Sequence, residues 1–274
     1  MPTRPEPKRI SRRTFLKRAS FGALGVVGPS GLASTHWLSI ERSRLPLPRW
    51  NAPPYRVAFI SDLHLDDDRD VEVTRRAIRA AVDFRPHVIA FGGDYLTYNP
   101  TQNLALLRQA LEPLMSAPCP VVGILGNHDF WAGRVAKTVA QLEDSGVTVL
   151  QNHDVEIGGV RIIGFDDGGL GRPAYKAFQP DGKPTIVLLH EPDLVRYSPS
   201  WAHVQLSGHS HGGQICLPGG IPLMGTREAE RYVRGFYLDA PIPLYVTRGI
   251  GTRRVPVRYF CRPEVSLLTL TSPE

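Results

Sequence analysis

Five apolar runs in this chain each end in side chains of the kind that bind metal ions. Arg56-Val57-Ala58-Phe59-Ile60-Ser61 leads into Asp62-Leu63-His64, and His87-Val88-Ile89-Ala90-Phe91 into Gly92-Gly93-Asp94. Pro120-Val121-Val122-Gly123-Ile124-Leu125 leads into Gly126-Asn127-His128-Asp129. Thr185-Ile186-Val187-Leu188-Leu189 ends in His190, and His203-Val204-Gln205-Leu206-Ser207 leads into Gly208-His209-Ser210-His211. Short runs of β-formers bounded by glycine read as buried strands. Each cluster follows its run, so all lie at one edge of a sheet, the carboxyl edge where α/β folds bind ligands. Taken singly, each residue has an ordinary explanation. Asp62 would bind backbone at a strand end, and Asn127-His128-Asp129 would cap a helix. Together at one edge they would repel one another or stay unsatisfied without a cation. Asp62, His64, Asp94, Asn127, His190, His209 and His211 are therefore the candidate ligands, with His128 beside them.

The rest of the pattern fits an α/β chain. Residues 70–84 place Val71, Ala77, Ile78, Ala81 and Val82 mainly on one helical face, and Arg85-Pro86 ends that helix. Residues 103–115 repeat leucine at Leu104, Leu107, Leu111 and Leu114, and a third helix spans 131–144, before Gly146. These helices alternate with strands, which predicts βαβ units. Residues 155–163 predict a hairpin turning on Gly158-Gly159. Further strands are expected over 244–247, 257–260 and 265–270. Residues 41–54, rich in Arg and Pro, read as a linker, so that a folded domain spans 55–271.

The formal charge of +6 is local. Arg4, Lys8, Arg9, Arg12, Arg13, Lys17 and Arg18 against Glu6 account for all of it. The remainder is close to neutral, so no nucleic-acid partner is expected. Ser11-Arg12-Arg13-Thr14-Phe15-Leu16-Lys17 has the twin-arginine export pattern. Residues 1–40 are thus assigned to a leader, and the protein to the periplasm or the outer face of the cell envelope. The apolar stretch after it is too short and glycine-rich for a span, which needs ~20 apolar residues. Gly31-Leu32-Ala33 offers small residues without the Ala-x-Ala form, so cleavage and retention as an anchor both stand. Cys119, Cys216 and Cys261 lack metal-motif spacing, and spacing alone selects no disulfide among them.

The ordered set Asp-x-His, Gly-Gly-Asp, Gly-Asn-His-Asp, a lone strand-end His and Gly-His-x-His resembles the calcineurin-like metallophosphoesterase superfamily. The longer Gly208-His209-Ser210-His211-Gly212-Gly213-Gln214 is similar to its exported bacterial phosphodiesterase branch. Asp66 departs from the glycine frequent at that place. The resemblance implies a four-layer α-β-β-α sandwich of two mixed β-sheets flanked by helices. It implies two divalent metals: Asp62, His64 and His211 on one, Asn127, His190 and His209 on the other, and Asp94 bridging. A nitrogen and oxygen donor set without thiolate suits Mn, Fe or Zn over Ca or Mg. A metal-bridged hydroxide would attack phosphorus in line. His128, off the metals, would stabilise the transition state or protonate the leaving oxygen. Asp129 either orients His128 or caps the turn.

The expected function is metal-dependent phosphoester hydrolysis of the phosphodiesterase kind. Two alternatives stand beside it: a pyrophosphatase of the UDP-2,3-diacylglucosamine type, and a non-catalytic binding scaffold. Residues 62–65, 92–95, 126–130 and 208–214 contain no Arg or Lys, which favours a singly charged diester or a pyrophosphate over a monoester dianion. The arginines come later, at Arg227, Arg231, Arg234, Arg248, Arg253 and Arg254, past the apolar loop 217–224. That loop reads either as a pocket wall or membrane-facing lip for a lipid-linked substrate, or as a packed loop with solvated arginines. Asp166-Asp167-Gly168-Gly169 reads as a turn. The remaining partners implied are the twin-arginine machinery and a peripheral membrane or cell-wall contact.

Overall fold

The computed structural model describes residues 35–97, 100–133 and 135–273. The twin-arginine pattern lies outside the described residues. Among the described residues, twelve strands form two mixed sheets of six. The first has the order β1 (Ser39–Pro46), β12 (Glu264–Thr271), β2 (Tyr55–Ile60), β3 (Val88–Phe91), β4 (Val121–Gly123), β5 (Thr148–Val149). The second runs β10 (Gly235–Tyr237), β11 (Leu244–Val246), β9 (Val204–Ser207), β8 (Thr185–Leu188), β7 (Val160–Gly164), β6 (His153–Ile157). β2, β3 and β4 are parallel, as are β7, β8, β9 and β11.

The apolar runs are continuous because these strands are covered on both faces. In β2, Val57 and Phe59 join the core between the sheets while Ala58 and Ile60 face the helices. In β8, Ile186 and Leu188 enter the inter-sheet core and Val187 the opposite face. Helices α1 (Asp68–Asp83), α2 (Pro100–Leu111) and α4 (Val135–Asp144) pack over the first sheet through Ala77, Ile78, Leu107 and Leu142. α1 starts at a capping box, with the Asp67 carboxylate accepting from the backbone of Arg69 and Asp70 and Asp70 returning the bond. The outer face of the second sheet is covered by a 3₁₀ segment, Pro192–Tyr197, through Leu194 and Val195, together with loop residues such as Tyr232 and Ile242. Among the described residues no helix is long and apolar enough to cross a membrane.

Three expectations change. The segment read as the start of a linker is the edge strand β1, paired in parallel with β12 along its whole length. Ser39 and Ile40, counted with the leader, belong to that strand. Residues 257–260 form no strand; Tyr259 makes one isolated bridge to Ile215, and Arg258 turns its side chain into the protein. The helix expected over 131–144 is two, α3 (Asn127–Trp131) and α4, separated at Gly133, whose φ of 71° leaves the helical region. The hairpin stands as expected: β6 and β7 are antiparallel, and Gly158 and Gly159 take φ of 58° and 79°.

Candidate metal centre

The carboxyl ends of β2, β3, β4, β8 and β9 meet at one place, where the edges of the two sheets adjoin. The loop after β2 carries Asp62 and His64, that after β3 carries Asp94, and α3, after β4, carries Asn127 and His128. His190 follows β8, and His209 and His211 follow β9. All are buried. Five of these residues hold left-handed backbone: Asp62 (φ 55°), His64 (44°), Asp94 (57°), His209 (67°) and His211 (52°). Non-glycine residues adopt this conformation at a cost of about 1–3 kcal/mol each, and only where their surroundings over-determine it. Here the surroundings are the loops' own hydrogen bonds: Asp62 N–H donates to Gly93 O at 2.9 Å, and His64 N–H to Asp94 O at 3.1 Å. Gly126 and Gly208 make the close approach possible. A Cβ on Gly126 would stand 2.3 Å from Asp94 Oδ1, and one on Gly208 would stand 2.3 Å from Asp62 Oδ2.

Two ligand clusters result, and they share one residue. Asp62, His64, Asp94 and His211 form the first, and Asp94, His190 and His209 the second, each with donor atoms within 4.8 Å of one another. Asp94 Oδ2 lies 3.4 Å from His64 Nε2 and 3.3 Å from His190 Nε2. His64 Nε2 and His211 Nε2 face each other at 3.0 Å. Asn127 Oδ1 and His190 Nε2 are buried without a hydrogen bond. Buried polar atoms are rarely left so, and convergent imidazole and carboxylate donors are what a divalent cation satisfies. The residues therefore fit metal ions.

Neighbouring backbone fixes the rings. His190 donates Nδ1–H to Gly92 O at 2.7 Å, which turns Nε2 inward. His209 donates Nε2–H to Arg227 O at 2.8 Å, which leaves Nδ1 for the centre. Burial, reinforced by His190, pushes the His209 pKa down to about 3, so its ring is neutral and able to ligate. Burial also lowers His128 to about 4. Against its own burial, Asp94 is held well below the usual carboxylate range by His190 and His64.

Asp129 does not touch His128 in any hydrogen bond given by the structure. Its carboxylate accepts from Gly126 N–H at 2.9 Å, closing its own turn, and from Asp94, Tyr95 and Leu96 N–H at 2.9, 3.0 and 3.3 Å. It thus holds the Asp94 loop against α3. Burial, then Asp94, raises its pKa to about 7. Two residues absent from the sequence reading stand close by. Arg258 is fully buried, donates to the carbonyls of Gly251 and Arg248, and lies 3.4 Å from His211 Nδ1. Glu191 is buried against Asp167 and raised to about 8, by burial and by that neighbour.

The Asp166-Asp167 segment is a turn, with Asp167 Oδ2 accepting from Gly169 and Gly171 N–H at 3.0 and 3.3 Å. His87 and His203 lie away from the centre, their Nδ1 atoms accepting from Arg56 and Thr185 N–H. Of the arginines, Arg248 is turned aside onto Glu264 and Glu41. Arg253 is close enough to oppose the charging of both His209 and His211. With Arg254 it lines a cavity of about 370 Å³ that also reaches Asn127, Trp131 and His209. Leu217, Ile221, Leu223 and Met224 of the apolar loop are exposed.

Comparisons agree with this geometry. The family profile described as calcineurin-like phosphoesterase matches residues 55–220. "Phosphodiesterase YaeI" of Escherichia coli (strain K12) is 31% identical over 280 residues, covering 95% of this chain and 99% of that protein. "Uncharacterized metallophosphoesterase YkuE" of Bacillus subtilis (strain 168) is 31% identical over 290 residues, covering 97% and 99%. The crystal structure of a dimetal phosphatase from Danio rerio superposes with a TM-score of 0.50 at 10% identity, over 80% of this chain and 99% of that one, a likeness of fold.

Proposed function

The chain belongs to the calcineurin-like phosphoesterase family and is a metal-dependent phosphoester hydrolase, and from that premise we propose that it is a phosphodiesterase with a dinuclear centre. The observation that carries the proposal is the shared residue: Asp94 belongs to both ligand clusters. Asp62, His64 and His211 would complete one site, and Asn127, His190 and His209 the other. A pair of divalent ions of the Mn, Fe or Zn class supplies Lewis acidity and a nucleophile made from water at neutral pH. The chain's own residues do the rest. Asp94 spaces the two sites, and its loop is held by Asp129. His190 and His209 are locked in their ligating orientation by carbonyls. His128 places Nδ1 at 3.4 Å from the Thr97 carbonyl, so Nδ1 carries the proton of the neutral ring. Nε2, without a proton in that tautomer, would take up the proton lost by the attacking water and return it to the leaving oxygen. Arg253 and Arg254 face the cavity and would hold an anionic group on the second ester substituent.

Two observations support a diester: the name of the Escherichia coli relative and the exposed apolar loop beside the centre. The same loop favours a lipid-linked substrate as a second reading. The twin-arginine pattern supports action outside the cytoplasmic membrane. The direct experiment is hydrolysis of bis-nitrophenyl phosphate. Activity is expected to vanish after chelation and to return with Mn. A metal-loaded protein that hydrolyses neither this diester nor nitrophenyl phosphate would restore the scaffold reading. For export, Arg12 and Arg13 changed together to Lys are expected to leave folded, active protein in the cytoplasm; unchanged fractionation would remove that assignment.

A further inference from the structure

Cys216 and Cys261 meet directly behind His211 and take no part in the chemistry above. Both are buried free thiols, 1% and 0% exposed. Both sulfurs rest on one atom, the Gly212 carbonyl oxygen, at 3.4 Å from Cys216 Sγ and 3.3 Å from Cys261 Sγ. Cys261 Sγ donates as well to the His211 carbonyl at 3.2 Å. The two backbones are already paired. Cys216 N–H donates to Tyr259 O at 2.9 Å, and Tyr259 N–H to Gln214 O at 3.0 Å. A disulfide requires Cα atoms about 4.4–6.8 Å apart with converging Cβ vectors, and here two sulfurs on paired segments converge on a single carbonyl oxygen. Cys119, half-buried, packs instead with the helical layer of the first sheet.

We infer that Cys216 and Cys261 are a disulfide-forming pair, whose bond ties the turn carrying His211 to the segment carrying Arg258. The oxidant is a small-molecule or protein disulfide. One protein thiolate attacks it, forming a mixed disulfide and releasing one thiol. The second protein thiolate then attacks the protein sulfur of that mixed disulfide, closing the Sγ–Sγ bond and releasing the other thiol. The two cysteines give up two protons and two electrons, and the oxidant's disulfide becomes two thiols. The bond removes the two thiol donors from the Gly212 carbonyl and replaces them with a covalent strap at the same place. It also cross-links the chain across the 217–260 loop, which stabilises the folded state by restricting the unfolded one.

The test uses the Mn-loaded full chain, held with oxidised glutathione in urea below the unfolding midpoint so that the buried thiols are reached. Alkylation after full denaturation is expected to find one thiol in place of three. Non-reducing peptide mapping should join the Cys216 and Cys261 peptides, and the thermal midpoint of the oxidised protein should exceed that of the reduced one. Cys119→Ser should leave no alkylatable thiol after oxidation, whereas Cys261→Ser should keep two. Three thiols at every ratio of oxidised to reduced glutathione would overturn the inference. So would a linked peptide containing Cys119, or a thermal midpoint lowered by oxidation.

Discussion

Asp94 makes the sharpest demand on a single side chain, because its carboxylate faces His64 and His190 while its backbone hangs from Asp129. Asp94→Asn keeps the shape and removes the charge. It is expected to abolish turnover and strip metal by elemental analysis, with circular dichroism unchanged; full activity in metal-replete Asp94→Asn would rule out a shared ligand. Asp129→Asn supplies one acceptor oxygen where four backbone N–H groups now converge, and should weaken metal binding by roughly 10–100-fold, as loss of a ligand's supporting partner does. His128→Asn should behave oppositely, keeping metal and losing rate by about 10²–10⁴; loss of one metal per chain would instead make His128 a ligand. The candidate ligands were legible in the sequence because strand-end position and donor chemistry are both local patterns. Arg258 was not, because its guanidinium is satisfied by the His211 carbonyl and by those of Arg248 and Gly251, which leave no mark on neighbouring residues. Asp129 was half-legible: the turn it caps is adjacent in sequence, but the Asp94 loop it holds is not.

At the scale of elements, the same logic separates what could be read from what could not. Strands buried on both faces announce themselves as apolar runs, and the Gly-Gly turn fixes its hairpin. β1 hides because an edge strand and a linker share a composition. Charged residues and proline blunt an exposed edge, and Ser39-Ile40-Glu41-Arg42-Ser43-Arg44-Leu45-Pro46 carries both. Its anchoring shows only in three dimensions, where Leu45 is 2% exposed and Leu47 is fully buried between the sheets. Leu45→Ala should therefore cost about 2–5 kcal/mol in urea unfolding, a value foreign to a linker. A chain beginning at Ser39 should unfold cooperatively, and one beginning at Tyr55 should not; equal stability of the two would return β1 to a dispensable segment. Residues 257–260 mislead in the opposite direction. Their β-branched and aromatic content favours a strand, but Phe260 takes φ of 47° and the segment bends to bury Arg258.

For the molecule as a whole, folding decides which charges a substrate meets. The loops that converge on the centre contain no Arg or Lys, yet the chain returns after β11 and sets Arg253 and Arg254 against the same cavity as Asn127 and His209. Arg248, equally near in sequence, is neutralised by Glu264 and Glu41. Arg227, Arg253 and Arg254 line that cavity together with Glu191 and Glu228, to one side of the centre. On the proposed phosphodiesterase reading, these arginines would meet an anionic group on a second substituent rather than the phosphoryl oxygens. Leu217, Ile221, Leu223 and Met224 are exposed, and on the lipid-linked reading proposed above they would meet the apolar chain. Arg253→Ala should then raise KM for a pyrophosphate-linked substrate more than for bis-nitrophenyl phosphate. Replacing Ile221, Leu223 and Met224 together by Ser should weaken action on a lipid-linked diester and spare the small one. The deciding comparison is bis-nitrophenyl phosphate against nitrophenyl phosphate under one metal, with the diester expected to have the higher kcat/KM. A monoester preferred tenfold, ~1.4 kcal/mol of transition-state binding, would mean that Arg253 serves the phosphoryl group itself, and the enzyme would be a phosphatase.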